Sequence, residues 1–498
     1  MNQRGIAGLR SIIGRDGRNA AAAVAAALAC ALALAPSGAG ALSGTVGAPG
    51  LGDSFFGKSG NGGYDVSHYE VSLGYNPKRN LFRPVTRTVI EAEVTQPAGL
   101  TRFNLDFRGL EISHLEVVDA ADTDTVYGKD EFTRDGQELT IDLDQAMPAG
   151  TDFLVFVEYD GKPKEITDPD GSLEGWVKTS DGAIALGEPS GTPTWIPSND
   201  HPTDKATFVI SILVPKGLKA VSNGELVASI PSPNGKRRLF VWVEDQPMAT
   251  YLATATVGKF DVVEETLPGT PSYSYTAVDR ELSPGAIDRG PEIIDYLDFF
   301  LGAYPFDETG AIVDRGARIG YALETQTRPF YPSPPGNGLV AHELAHQWFG
   351  NQISLADWSE IWLNEGFAQW AQWFWDDEDG GQPIDQRVDD LCEIGAGDSS
   401  FWNPPPAGVP GPDVMFNNTI YERGGMTLQR LRQWIGDPDF FTVMSNWTGQ
   451  DPLGSYTTDD FIAIVKSISD QPDNEIEDFF TDWVRDQGKP DGPHGCTA

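Results

Sequence analysis

Hydrophobic and polar positions alternate along the chain from Tyr64 to about Gly258. Segments such as "YDVSHYEVSLGY", "TRTVIEAEVTQ" and "TFVISILVP" alternate or are rich in β-branched residues, and turn-forming residues separate them. Successive side chains of a strand point to opposite faces of a sheet, so this pattern is typical of strands with one buried face. It predicts a β-rich domain over residues 64–262.

A different period begins after the turn-like segment "LPGTPSY" at residues 267–273. Apolar residues now recur every three or four positions, which is the spacing of one face of a helix. The pattern is present in "PEIIDYLDFFLGAYP", around His342, in "YERGGMTLQRLRQWIG" and in "DNEIEDFFTDWVRDQG". We therefore predict a mostly helical domain over residues 263–498, with a short helical remainder at its carboxyl end.

The first 63 residues have a composition of their own. Several arginines precede the apolar run "AAAAVAAALACALALAP", and the small residues "AGA" follow it at Ala39–Ala41. This order is typical of a secretory signal peptide, which we place at residues 1–41; a retained membrane anchor is the alternative. Residues 42–63 are rich in glycine and predict an extended arm. We expect a secreted or cell-surface protein.

Composition and charge narrow the class of protein. A chain of 498 residues with 40% apolar positions is long enough for two or three domains with buried cores. The formal net charge of −38 excludes a nucleic-acid role, because such a protein repels phosphate. Beyond the signal segment, Cys392 and Cys496 are the two cysteines; they form either one disulfide or two free thiols.

The segment from His342 to Trp370 carries candidate metal ligands. His342 and His346 are four residues apart, so on a helix both imidazoles share one face, with Glu343 beside them. A catalytic zinc site needs a third protein ligand and one open position. Glu365 follows His346 by nineteen residues, enough for the chain to leave one helix and return on a second. Two satisfied core histidines and a surface glutamate are the structural alternative.

The span "HELAHQWFGNQISLADWSEIWLNEGFA" resembles the core of the zinc aminopeptidases related to aminopeptidase N, which are gluzincin metallopeptidases. "YDVSHYEVSLGY", "GEPSGTPTWIPSNDHPTDKATF" and "IYERGG" are similar to further segments of that family. The resemblance implies a multidomain fold in which a β-rich amino-terminal domain packs on a mostly α thermolysin-like zinc metallopeptidase domain.

The same resemblance implies roles for individual residues. His342, His346 and Glu365 would hold one Zn²⁺ per chain, and Glu343 would be the general base that takes a proton from the attacking water. Tyr421, in "IYERGG", would donate a hydrogen bond to the oxyanion of the transition state. All of these residues are present in the sequence.

Two further carboxylates would bind the free α-ammonium group of the substrate. Glu188 in "GEPSG" and Glu324 in "YALET" match the family's positions. The usual family segment "GAMEN" is changed here to "YALET", which bears on cleavage preference more than on catalysis. Gln372 stands where relatives often have a glutamate near the metal ligands.

These observations predict a secreted zinc aminopeptidase that acts on peptides with a free amino terminus, without stable membrane insertion. Two alternatives remain open. A zinc endopeptidase would use the same metal machinery, and the distinguishing feature is whether Glu188 and Glu324 face the metal. A non-catalytic surface binding protein is the other alternative, against which the intact set of site residues argues.

Overall fold

Strands dominate the first half of the chain and helices the second, as the two hydrophobic periods predict. The computed structural model describes residues 44–316 and 318–496, which belong to one compact unit that begins at Leu42. The predicted signal peptide, residues 1–41, lies outside the described residues. The strands are β1 Thr45–Val46, β2 Tyr64–Asn76, β3 Leu81–Phe82, β4 Arg87–Val94, β5 Leu100–Asp106, β6 Glu111–Asp119, β7 Val126–Lys129, β8 Phe132–Asp135, β9 Glu138–Met147, β10 Asp152–Asp160, β11 Glu165–Thr167, β12 Leu173–Lys178, β13 Ala183–Leu186, β14 Lys205–Pro215, β15 Lys219–Ser222, β16 Glu225–Pro231, β17 Arg237–Ala249, β18 Ala255–Gly258, β19 Phe260–Thr266, β20 Tyr273–Asp279, β21 Glu308–Val313, β22 Phe330–Tyr331, β23 Ser354–Leu355 and β24 Ser455–Tyr456.

The helices lie in the second half and include the segment with the candidate metal ligands. They are α1 Gly290–Leu301, α2 Asn337–Ala345, α3 Trp362–Glu378, α4 Ile384–Ile394, α5 Asn418–Ile435, α6 Asp437–Thr448, α7 Thr458–Ile468 and α8 Asp473–Phe480, which continues into a π-helical turn at Thr481–Arg485. A capping box of Thr457 and Asp460 begins α7. The prediction of a β-rich half followed by a mostly helical half is confirmed.

A nine-stranded sheet forms the body of the β-rich half. Its order is β16-β17-β14-β2-β4-β10-β6-β7, and β3 pairs with β2 at one side. On β2 the side chains of Tyr69, Val71 and Leu73 are buried, as the alternation of the sequence requires. β2 and β14 are parallel, and Tyr69 lies opposite Phe208, with which it stacks at 4.8 Å between ring centroids.

A small sheet links the two halves, and the helical pattern did not predict it. β19 crosses the domain boundary expected at residue 262 and pairs with β20, which continues in parallel into β21 and β22. The expectation that helices take over after residue 273 was wrong for these segments. Ala311, Ile312 and Val313 on β21 are all buried. A strand buried on both faces gives a continuous apolar run without the alternation that identifies exposed strands.

The glycine-rich arm at residues 44–63 packs into the body of the protein. Asp53 is buried, and its carboxylate accepts hydrogen bonds from the backbone of Phe55, Phe56 and Trp358 at 2.7–2.8 Å. His201, which follows the β-rich half's "PSND" segment, lies 3.3 Å from the same carboxylate. The arm therefore joins the two halves through one buried acid.

A buried lysine makes a second connection between the halves. Lys205, at the start of β14, donates from Nζ to the backbone carbonyl oxygens of Asn351, Gln352 and Pro452 at 2.7–3.0 Å. Two of these carbonyls lie in the loop that follows α2. An ammonium group away from water is tolerated when its hydrogen-bond capacity is filled in this way.

A disulfide joins Cys392, in α4, to Cys496, with 5.3 Å between the Cα atoms. It closes a loop with a sequence separation of 104 residues, which contains α5 to α8. Of the two alternatives that the sequence left open, the structure contains the disulfide. Among the described residues, no helix is long and apolar enough to cross a membrane.

We predict that replacing Cys392 and Cys496 together by serine lowers the stability of the protein by about 2 to 4 kcal/mol. Closing a long loop restricts the unfolded chain, and the serine variant regains that freedom. Thermal unfolding with and without reductant measures the effect: reductant should lower the midpoint of the wild type and leave that of the double variant unchanged. Equal unfolding midpoints for the wild type and the double variant, both without reductant, would contradict the prediction.

Candidate active site

Helix α2 presents both histidines of the motif from one face. A residue that precedes proline avoids helical geometry, which keeps Ser333 and Pro334 outside the helix, and α2 begins at Asn337 after an extended Gly336. Backbone N–H of His346 donates to the carbonyl of His342 at 3.2 Å, and the helical turn continues through the second histidine. The two imidazole centroids are 4.8 Å apart. The predicted spacing of the two histidines thus places them side by side.

A tight turn after α2 lets the chain return and places Glu365 beside the two histidines. Gly350 has a φ of +112°, and a Cβ atom there would lie 2.9 Å from the Asn364 side chain. Glycine is therefore required both by the backbone angle and by the space beside α3. Asn364 directly precedes Glu365, so the turn packs against the helix start that carries the third candidate ligand.

Helices α3 and α5 touch through glycines. A Cβ atom on Gly366 would lie 3.0 Å from Cα of Gly424, and one on Gly424 would lie 2.8 Å from Cα of Gly366. This close approach brings the amino-terminal halves of α5 and α3 together. Tyr421 consequently stacks over His342, with 6.0 Å between the ring centroids and 27° between the ring planes.

Three donor atoms form a compact cluster. Oε2 of Glu365 lies 3.2 Å from Nε2 of His342 and 3.3 Å from Nε2 of His346, and all three residues are buried. Nδ1 of His346 faces the carbonyl oxygen of Phe349 at 3.0 Å, which orients the ring. Two imidazole nitrogens and one carboxylate oxygen are the ligand types of catalytic zinc sites. The residues therefore fit a zinc ion.

Burial and like charge govern the ionisation of the cluster. Burial raises the pKa of Glu343 well above its usual value, and burial raises that of Glu324 to about 7. Burial alone would lower the pKa of His346, but the negative charges of Glu365 and Glu324 reverse the effect and raise it. Burial opposes ionisation of Glu365, yet the charge of His346 and hydrogen bonds from both histidines lower its pKa. The field of the site favours bound cations.

Glu188 and Glu324 enter the site from different parts of the chain. Glu188 follows β13, and Glu324 precedes β22; their side chains are buried, with 8% and 2% of the residue exposed. Within the described chain, Oε1 of each carboxylate has no hydrogen-bond partner. A buried acceptor without a partner is costly, so both oxygens are available to a bound donor.

Two side chains just after α2 hold the segment that carries Glu324. Gln347 accepts a hydrogen bond from the backbone N–H of Thr327 at 2.8 Å and donates to the carbonyl of Glu324 at 3.2 Å. Asn351 donates to the same carbonyl at 2.9 Å. Both side chains are fully buried. The position of Glu324 relative to His346 is therefore fixed by side chains of the histidine motif itself.

All seven residues selected from the sequence line one cavity of about 300 Å³: Glu188, Glu324, His342, Glu343, His346, Glu365 and Tyr421. Gln372 lines it as well. Other lining residues, which include Asp170, Ser172, Tyr321 and Phe416, were not predicted from the sequence. Asp170 lies in "DPDG", a turn signal that gives no hint of a contact with residues about 170 positions later. Only the fold brings these segments together.

Two models of known protein families match this chain. Residues 66–252 match the family model described as Peptidase M1 N-terminal domain, and residues 336–483 match that of the Peptidase family M1 domain. The two matches together cover more than half of the chain.

The chain belongs to the M1 family of peptidases.

Curated members of the M1 family are similar over large parts of this chain. It is 29% identical to Aminopeptidase M1-B of Oryza sativa subsp. japonica, over 60% of this chain and 36% of that protein. It is 25% identical to Probable aminopeptidase 1 of Saccharolobus solfataricus, over 86% of this chain and 54% of that protein. The chain thus spans about a third to a half of the length of the M1 relatives it matches.

A solved M1 structure shares the fold. The M1 zinc metallopeptidase of Deinococcus radiodurans, a mutant bound to a Tyr-Ser-Ala substrate, has a TM-score of 0.77 to this chain and is 24% identical. The match covers 89% of this chain and 99% of that one. The arrangement of a β-rich domain followed by a helical M1 domain is therefore the same in both proteins.

Proposed function

We propose that this protein is a zinc-dependent aminopeptidase that removes single residues from the amino termini of peptides. One observation carries the proposal: a single cavity collects three candidate zinc ligands, a further buried glutamate and two glutamate oxygens that lack partners. The candidate zinc ligands and the further glutamate can together hydrolyse an amide. The two glutamate oxygens can recognise the free ammonium of a peptide. Membership of the M1 family, with its curated aminopeptidases, supports the assignment.

One zinc ion per chain would be held by His342, His346 and Glu365. Zinc in such a position would supply Lewis-acid chemistry: it would polarise a carbonyl oxygen and lower the pKa of water toward neutrality, which makes the water a better nucleophile at neutral pH. Glu343 lines the same cavity and has a pKa raised by burial, so its carboxylate is a stronger base than an exposed glutamate. We assign Glu343 as the general base that takes the proton of the attacking water and returns it to the leaving amine.

Tyr421 would stabilise the negative charge that develops on the carbonyl oxygen. Burial raises the pKa of its phenol well above the usual value, and nearby carboxylates, Glu365 first, raise it further. The phenol therefore keeps its proton at neutral pH and can donate a hydrogen bond without first ionising. Its stacking on His342 keeps it beside the candidate ligands.

Glu188 and Glu324 favour an aminopeptidase over an endopeptidase. Both carboxylates line the cavity of the zinc ligands, and the oxygen of each that lacks a partner can accept from an ammonium group. An internal peptide segment offers no ammonium there, and it would leave both buried acids unpaired. The two glutamates would thereby set the distance from the amino terminus to the bond that is cut.

We also propose that the protein is exported. The segment predicted as a signal peptide supports this, and so does the disulfide between Cys392 and Cys496, because disulfides persist mainly in oxidising compartments.

A matched pair of variants should separate metal binding from base catalysis. We expect His346→Ala to lose stoichiometric zinc, because one of three protein ligands is removed. We expect Glu343→Gln to retain zinc and lose about 10²- to 10⁴-fold in kcat, because the amide keeps the shape of the side chain but cannot accept the proton. Elemental analysis and turnover of amino-acid 4-nitroanilides measure the two effects. A full equivalent of zinc in His346→Ala, or near-normal turnover by Glu343→Gln, would reject the corresponding role.

Removing one ammonium anchor should weaken the use of substrates with free amino termini. Loss of a charge-assisted hydrogen bond costs about 1.5 to 3 kcal/mol, so Glu324→Ala should lower kcat/KM on leucine 4-nitroanilide by about ten- to a hundredfold with zinc retained. Glu265→Gln, at an exposed acid on β19, is the control for loss of a charge and should behave as wild type. The wild type should leave N-acetyl-leucine 4-nitroanilide essentially uncut. Equal rates on free and acetylated substrates would favour an endopeptidase.

Export should be visible in the amino terminus of the mature protein. We expect protein recovered from outside the cytoplasm to begin near Leu42, after cleavage beyond "AGA". Terminal sequencing or intact mass measures this, and a mature protein that retains Met1 and remains in the cytoplasm would refute the proposal.

A further inference from the structure

One wall of the cavity is a tight turn of the β-rich half. β11 and β12 pair as a hairpin, and the turn between them, residues 168–172, contains two acids. Oδ1 of Asp170 accepts from the backbone and the hydroxyl of Ser172 at 2.9 and 2.7 Å, which fixes the exposed side chain at the rim of the cavity. The hydroxyl of Tyr321 donates to the carbonyl of Leu173 at 2.7 Å and ties this hairpin to the segment that carries Glu324.

The same hairpin is tied to the loop that carries Glu188. Backbone N–H of Ser190 donates to the carboxylate of Glu174, on β12, with 3.2 Å to each oxygen. Ser190 is two residues beyond Glu188. The rim acid and the two proposed ammonium anchors therefore lie on connected segments of one wall.

The cavity contains more negative charge than the proposed reaction uses. Among the described residues, its lining includes five carboxylates, those of Asp170, Glu188, Glu324, Glu343 and Glu365, and neither lysine nor arginine. A zinc ion and the α-ammonium of a peptide supply three positive charges. Asp170 is the acid that neither the metal, the base nor the ammonium accounts for.

We propose that the cavity prefers peptides whose amino-terminal residue has a long cationic side chain, arginine or lysine, and that Asp170 is the residue that determines this preference. The inference rests on the proposed aminopeptidase function. The ammonium and the side chain of an amino-terminal residue leave the same Cα atom. With the ammonium against Glu188 and Glu324, a side chain that follows the same wall to the rim would bring the charge of a long stem to Asp170.

Apolar residues of the cavity suit the stem of such a side chain. Tyr321, Leu339 and Phe416 line the cavity together with Asp170. Arginine and lysine bury their methylene stems against apolar surface and keep the charged group in water. Because Asp170 is exposed, its ion pair should contribute a modest selectivity that salt weakens.

The test compares arginine 4-nitroanilide with citrulline 4-nitroanilide, which has nearly the same shape without the charge. At low ionic strength we expect the wild type to show a kcat/KM ratio, arginine over citrulline, of about two- to fivefold. The ratio should fall toward one in about 1 M salt, where exposed charges are screened. A ratio of two substrates on one preparation does not depend on the fraction of folded enzyme.

Two isosteric variants complete the experiment. Asp170→Asn keeps an oxygen that can accept from Ser172, so the turn is preserved while the charge is lost; the ratio should fall to near one. Asp122→Asn is the matched control, because Asp122 is also an exposed turn acid of the β-rich half that accepts a backbone N–H two residues on. It should retain the wild-type ratio.

The inference is overturned if the wild-type ratio is near one, or if Asp170→Asn keeps the wild-type ratio. It is also overturned if glutamate 4-nitroanilide is cut faster than glutamine 4-nitroanilide, which would indicate a cavity that selects acidic side chains. Absence of hydrolysis of leucine and arginine 4-nitroanilides alike would instead reject the proposed function, and this inference with it.

Discussion

Four buried glutamates that share one cavity impose the main constraint on this protein. Glu188, Glu324, Glu343 and Glu365 have between 2% and 8% of their surface exposed, and two histidines cannot neutralise them all. Carboxylates away from water are tolerated when they are protonated or matched by positive charge. Such a cavity is therefore stable when it holds cations, and the two occupants proposed for it, a divalent metal and a peptide ammonium, are both cationic.

The arrangement of helices around that cavity depends on residues with no chemistry of their own. Gly366 follows the candidate ligand Glu365, and Gly424 follows Tyr421 by three positions; the backbones of the two glycines touch. Any side chain on either residue would separate α3 from α5 and move the tyrosine away from His342. The close contact between the two helices thus explains the glycines in "NEGFA" and "YERGG". This contact is visible only in the folded structure.

Local pattern predicted most of the secondary structure and the metal motif. The period of four that pairs His342 with His346 is a property of the helix itself, so sequence spacing was sufficient. Glu365 was a candidate third ligand by its spacing alone, whereas Tyr421 required the family resemblance, because its approach to the histidines depends on packing. β21 and β22 were missed because short strands that are buried on both faces lack alternation.

The positions that no local pattern identifies are those joined across long stretches of sequence. Asp170 reaches the cavity because a hairpin of the β-rich half lies beside Tyr321. Gln347 and Asn351 look like ordinary polar residues after a helix, yet they hold the carbonyl of Glu324. Their partners are more than twenty residues away, and a propensity or a period carries no information at that distance.

The contacts of Lys205 fasten the β-rich half to the loop that follows the candidate zinc ligands of α2. Its ammonium comes from the β-rich half, while the three carbonyl groups that it binds come from the loop after the histidine helix and from the segment before α7. Expressed alone, the helical half would leave those carbonyls without this donor, and the β-rich half would have to solvate the ammonium. The loop after α2 is thus held by hydrogen bonds from a residue that precedes it by almost 150 positions. A recombinant exchange of the β-rich half for that of a relative would therefore have to keep a lysine at this position, because its three acceptors are backbone carbonyls of the other half.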